Sequence, residues 1–110
     1  MEKEVLEQKI ESEISEWSGR IEFLKAKLKR PGVSEEIRDK YTGKVRDLVD
    51  KEKEARKRLS DLRDIAADES DEVAEKALKA SDDLKDSVDR VLEEVATVSL
   101  VGEEGEKKND

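Results

Sequence analysis

The chain has 110 residues, enough for one domain; 49% are charged, 34% are hydrophobic, and the formal net charge is −8. It contains neither cysteine nor histidine, which removes disulfides, thiol nucleophiles, and the commonest general base and metal ligand. The acidic balance argues against nucleic acid as a partner, and no apolar run reaches the roughly 18 residues of a membrane-spanning helix. We therefore expect no enzyme activity, no catalytic, cofactor-binding or metal-binding residues, and no small-molecule substrate.

The first group of apolar residues predicts a helix over residues 2–30. Their steps of three and four residues place the side chains on one narrow stripe of a helix, as in a coiled coil. This helix should end before Pro31 and Gly32, because a proline disfavours helical conformation in the residue that precedes it. The stripe consists of Leu6, Ile10, Ile14, Trp17, Ile21, Leu24 and Leu28.

A second helix is predicted over residues 34–67. Ser34 is a favourable N-cap, and Glu35 and Glu36 complement the positive end of the helix dipole. The second stripe consists of Ile37, Tyr41, Val45, Leu48, Ala55, Leu59, Leu62 and Ala66.

A third helix is predicted over residues 70–99, after an acidic break in which Asp68 or Ser70 should begin it. This break contains neither glycine nor proline, so a continuous helix from Ser34 to Val98, which would force dimerisation, is the competing interpretation. Residues 102–110 are predicted to form a disordered, charged tail. The third stripe consists of Ala77, Leu84, Val88, Val91, Val95 and Val98.

Three helices with short connections predict an all-α fold, an elongated, antiparallel, up-down-up three-helix bundle or coiled coil over residues 1–101. Charge supports folding the third helix back, because residues 68–101 carry eleven acidic and four basic side chains. We expect this fold to bring two sets of opposite charges together. They are Asp82, Asp83 and Asp86 beside Arg56, Lys57 and Arg58, and Glu93 and Glu94 beside Lys44 and Arg46.

A short internal repeat suggests positions for partner contacts. Residues 17–21 and 41–45 both read aromatic, hydroxyl, glycine, cation and branched apolar residue. Glycine inside a helix costs roughly 1 kcal/mol relative to alanine, so Gly19 and Gly43 are candidate contacts where another helix lies close. Coincidence in a helical sequence of low diversity is the alternative. Phe23 lies off the apolar stripe and is the third candidate partner contact.

The aromatic and apolar residues over residues 3–98 also form a pattern found in a known family. The pattern comprises Glu16, Trp17, Ile21 and Leu24–Lys27, then Tyr41, Val45, Leu48, Leu59 and Leu62, and finally Leu84–Asp89, Val91 and Leu92. On these residues the chain resembles small bacterial coiled-coil proteins loosely labelled as a stress-response family. The resemblance implies three helices and a poorly defined role in stress tolerance, without catalytic residues. The family often carries a tryptophan where this chain has Val73, so that end of the core is expected to be thinner.

The sequence thus predicts a non-enzymatic helical structural or protein-interaction module that acts through coiled-coil contacts with a protein partner or through self-association. The N-terminus lacks the positive and apolar regions of a secretory signal, so a complete chain is expected in the cytoplasm. The main alternative is an apolipoprotein-like helical bundle that binds lipid surfaces, although a narrow apolar stripe and acidic charge disfavour anionic membranes. A third interpretation is a highly charged protective protein that retains water.

Overall fold

The computed structural model describes residues 2–97, which form three α-helices and one short 3-10 turn. Helix α1 spans Lys3–Leu28, α2 spans Glu35–Asp64, the 3-10 turn spans Ala67–Glu69, and α3 spans Asp71–Thr97. At 1.5 Å per residue each helix is about 40–45 Å long. The predicted all-α, elongated three-helix architecture is confirmed. The predicted end of the third helix at residue 99 and the predicted tail at 102–110 lie outside the described residues.

Ion pairs between helices show that chain neighbours run antiparallel. Arg63 Nη2, near the end of α2, lies 2.6 Å from Glu11 Oε1 in the first half of α1. Lys44 Nζ, in the first half of α2, lies 3.4 Å from Glu94 Oε1 near the end of α3. The chain therefore runs up, down and up, as the short connections predict.

The first connection is a tight turn whose geometry follows from its residues. Gly32 has a φ of 95°, a left-handed conformation that costs glycine no steric energy. Val33 packs inward and is buried. Ser34 then begins α2 as its N-cap, because its hydroxyl accepts a hydrogen bond of 3.1 Å from the backbone N–H of Ile37.

The second connection separates α2 from α3, so the continuous-helix interpretation is wrong. Ile65 and Ala66 have extended backbones, with ψ of 151° and 147°. Ala66 is exposed rather than part of the second apolar stripe, because the helix ends before it. Ser70 immediately precedes α3, but its hydroxyl points backwards and donates a 2.8 Å hydrogen bond to the carbonyl of Ala67.

The core contains one apolar stripe from each helix. Full burial of an aliphatic or aromatic side chain stabilises a fold by about 1.5–3 kcal/mol, so these stripes dominate the stability of the bundle. Ile37 is only partly buried, and Val98 lies outside the described residues. The buried members of the predicted stripes are Leu6, Ile10, Ile14, Trp17, Ile21, Leu24 and Leu28, then Tyr41, Val45, Leu48, Ala55, Leu59 and Leu62, and then Ala77, Leu84, Val88, Val91 and Val95.

The end of the core near the second connection contains Val73, where the family that the chain resembles often carries a tryptophan. Val73 is only partly buried, and together with Ile65 it lines a surface cavity of about 350 Å³.

The charges that link α3 to the other helices are only partly those predicted. Lys44 pairs with Glu94, as expected. The predicted placement of the acids at residues 82–86 beside the bases at residues 56–58 is met in part, because Asp83 and Arg58 line one surface cavity between α2 and α3. Within residues 2–97, no ion pair of 4.0 Å or less joins these two groups. Acids one turn earlier on the same helix are already aligned with the arginines, so local pairs form instead. These pairs are Arg56 with Glu52 and Arg58 with Glu54.

Candidate protein-interaction surfaces

Phe23 lies on the outer face of α1, away from the core. Its exposed fraction is 52%, and Lys27 Nζ lies 5.1 Å from the centre of its ring, in a cation–π contact. Val5, with an exposed fraction of 53%, is the other large hydrophobic residue exposed to this extent within residues 2–97. It precedes Phe23 by 18 residues, which is five helical turns or about 27 Å on the same face. Phe23 is therefore an isolated exposed aromatic residue rather than part of a broad apolar surface.

Gly19 lies one turn before Phe23, and Gly43 occupies the outer face of α2. Both are exposed, and a β-carbon added at either position would meet no heavy atom within 4 Å. Neither glycine is therefore needed for close packing of the helices within residues 2–97. Their open surroundings leave two interpretations, a flat contact surface for a partner or an exposed position without a role.

The aromatic residues of the internal repeat lie in the core. Trp17 and Tyr41 have exposed fractions of 7% and 1%, and the Arg20 guanidinium lies 4.7 Å from the centre of the tryptophan ring. The glycine two residues after each aromatic faces solvent, since two residues turn a helix by about 200°. Each copy of the repeat thus has a buried aromatic residue and an exposed glycine.

A groove between α1 and α2 is a further surface feature, which the sequence analysis missed. It has a volume of about 430 Å³, and its lining residues belong to these two helices, except Lys29, which directly follows α1. The sequence does show basic residues on both sides of the connection between α1 and α2. Whether they line one groove, however, depends on how the two helices pack together. The residues that line this α1–α2 groove are Lys25, Leu28, Lys29, Arg38, Thr42, Val45, Arg46 and Val49.

Ser81 is a polar residue in the apolar stripe of α3, and the sequence analysis missed it as well. Its exposed fraction is 1%, and its hydroxyl donates a 3.1 Å hydrogen bond to Glu13 Oε1 on α1. The step of seven residues between Ala77 and Leu84 passes through this position. The spacing alone could therefore have shown that a serine faces the core.

The described residues contain no group of three or more acidic side chains arranged to hold a metal ion. Over the same part of the chain, no helix is long and apolar enough to cross a membrane. No family model, curated protein or solved structure matches the chain. The resemblance to a bacterial stress-response family therefore stays a prediction.

Proposed function

We propose that this chain is a non-catalytic helical module that binds another protein through the outer face of α1. Phe23 is the central contact of this surface, and Gly19, one turn away, lets a partner approach the helix backbone closely. The exposure of Phe23 carries the proposal, because an aromatic ring that is 52% exposed leaves apolar area for a partner to bury. Large aromatic side chains dominate the energetics of protein interfaces.

The family resemblance extends the proposal to a role in stress tolerance in the bacterial cytoplasm. The partner is a different protein or a second copy of this chain. Both would use the same surface, so one set of variants examines both.

Replacement of Phe23 by serine tests the surface. We expect Phe23→Ser to weaken association while changing the free energy of unfolding by less than about 1 kcal/mol, since most of the ring makes no core contact. Val5→Ser is the matched control, because Val5 has similar exposure on the same face, about 27 Å away. Sedimentation velocity over a range of concentrations measures self-association, and urea unfolding measures stability.

A photo-crosslinking residue at position 23 identifies a different partner in cells. We expect one discrete adduct whose components are identified by mass spectrometry, and Phe23→Ser should then weaken binding of the purified pair. Loss of about 2 kcal/mol or more in unfolding free energy for Phe23→Ser would place the ring in the core. Unchanged association in both assays would contradict the proposed surface.

A further inference from the structure

The packing of α3 shows how the α1–α2 pair binds an acidic helix. The apolar stripe of α3 is buried against both helices, and an acidic side chain on each flank pairs with a base. Asp89 Oδ1 lies 3.7 Å from Arg20 Nη1 on α1, and Glu94 Oε1 lies 3.4 Å from Lys44 Nζ on α2. The recognition chemistry is thus an apolar strip between two cations, one from each helix.

The α1–α2 groove repeats this arrangement on another side of the same helix pair. Its floor is apolar, formed by Leu28, Val45 and Val49, of which the first two are buried and the third is partly buried. None of the described residues of α3 lines it, so α3 leaves this side of the helix pair open. Along α2 the groove extends from Arg38 to Val49, about 16 Å or three turns of a docked helix.

The rim of the groove is basic on both sides, although the chain as a whole carries a net charge of −8. Lys25 pairs with Glu22, and Arg38 donates hydrogen bonds to the backbone carbonyls of Leu28 and Arg30, at and just after the end of α1. Lys29, the C-cap of α1, and Arg46 on α2 have no ion pair of 4.0 Å or less within residues 2–97. The described lining contains no acidic side chain. These two cations therefore lack the carboxylates that Arg20 and Lys44 receive from α3.

We infer that the α1–α2 groove binds an acidic amphipathic helix of a partner protein, with its apolar side chains on the floor and its carboxylates paired with Lys29 and Arg46. The charge of the rim selects an acidic partner, and the length and open shape of the groove fit three turns of helix. The inference rests on the proposed function, since the occupant is a protein, but it uses a different face of α1 from Phe23.

A peptide with the sequence of residues 71–97 is a suitable probe, because it is an acidic amphipathic helix that this helix pair already accommodates. We expect the fluorescein-labelled peptide to bind the full chain saturably in fluorescence anisotropy. Joint substitution of Lys29→Glu and Arg46→Glu should weaken binding at least tenfold, and the neutral pair Lys29→Gln and Arg46→Gln at least threefold. Circular dichroism checks that both variants fold.

The matched control reverses the two cations that already bind α3, by Arg20→Glu and Lys44→Glu. Peptide binding should be unchanged in this control. Weakening in the control alone would mean that the peptide replaces α3, and equal weakening in both pairs would mean unspecific attraction. Either result, or no saturable binding up to about 1 mM peptide, overturns the inference.

Three further measurements distinguish a partner helix from other occupants of the groove, and failure of this inference from failure of the proposed function. A dimer that dissociates on Lys29→Glu and Arg46→Glu would make the occupant a second copy. Tenfold tighter peptide binding after truncation at residue 97 would make it the rest of this chain. Both outcomes overturn the assignment to a partner. Phe23→Ser should leave peptide binding unchanged, so loss of the Phe23 surface and loss of the groove are distinguishable.

Discussion

Replacement of Gly19 and Gly43 by alanine should stabilise the bundle. Each glycine lies inside a long helix, where alanine is favoured by about 0.8–1 kcal/mol because it loses less backbone entropy on folding. A β-carbon at either position would meet no heavy atom within 4 Å, so no steric cost offsets this gain. The two positions lie on different helices and share no partner, so the effects should add to about 2 kcal/mol.

Urea unfolding followed by circular dichroism measures this gain, and the slope of the transition should stay the same because the buried surface does not change. Each alanine should also raise the melting temperature by about 4–8 °C. Ala26→Gly is the matched control, since Ala26 is exposed on α1, and it should destabilise the bundle by about 1 kcal/mol. A double variant less stable than the parent would mean that other atoms occupy the space beside these glycines in solution and clash with the added β-carbons. The reasoning from helix propensity would then be refuted.

Two further predictions concern interactions between helices. Arg38→Ala should lower the unfolding free energy by about 1–3 kcal/mol in urea titrations, because its guanidinium donates hydrogen bonds of 2.9 Å to the carbonyl of Leu28, at the end of α1, and of 3.3 Å to the carbonyl of Arg30, in the connection that follows. Arg46→Ala, without such bonds, should change it by less than about 0.5 kcal/mol, and equal losses would contradict this role. Joint replacement of Asp89→Asn and Glu94→Gln should cost about 0.4–2 kcal/mol at low salt and much less near 1 M salt, since these exposed pairs are screened. Asp82→Asn is the control, because Asp82 forms no ion pair of 4.0 Å or less among the described residues, and a loss independent of salt would exclude an electrostatic cause.

The sequence predicts best what depends on one helix alone. The stripe from Leu6 to Leu28 follows from the period of an α-helix, and all seven of its residues are buried. The connection between α1 and α2 could also be predicted from the sequence. The conformational preference of Gly32 and the capping preference of Ser34 do not depend on tertiary contacts. The exposure of Phe23 follows in the same way from its position relative to the stripe.

Features that depend on the rotation of one helix against another were not predictable. Arg56 and Arg58 pair within α2 because the acids one turn earlier on the helix are already aligned with them. Asp83 lines the same surface cavity as Arg58 but forms no ion pair of 4.0 Å or less with it. The basic rim of the α1–α2 groove likewise combines Lys29 and Arg46 from helices whose relative rotation the apolar spacing does not set. Ala66 shows a second limit of prediction from spacing. It fits the period of the second apolar stripe, but α2 ends at Asp64, before Ala66 is reached.

The buried hydroxyl of Ser81 has a consequence for how α3 is aligned along α1. Stripes of leucine, isoleucine, valine and alanine bury similar apolar area when one helix shifts along another by a turn. Apolar packing therefore discriminates poorly between axial registers of the two helices. Such a slide would separate the Ser81 hydroxyl from Glu13 and leave it desolvated, at a cost of about 1–3 kcal/mol. We therefore expect this one hydrogen bond to fix the axial register of α3 against α1, which the apolar stripes alone specify only weakly.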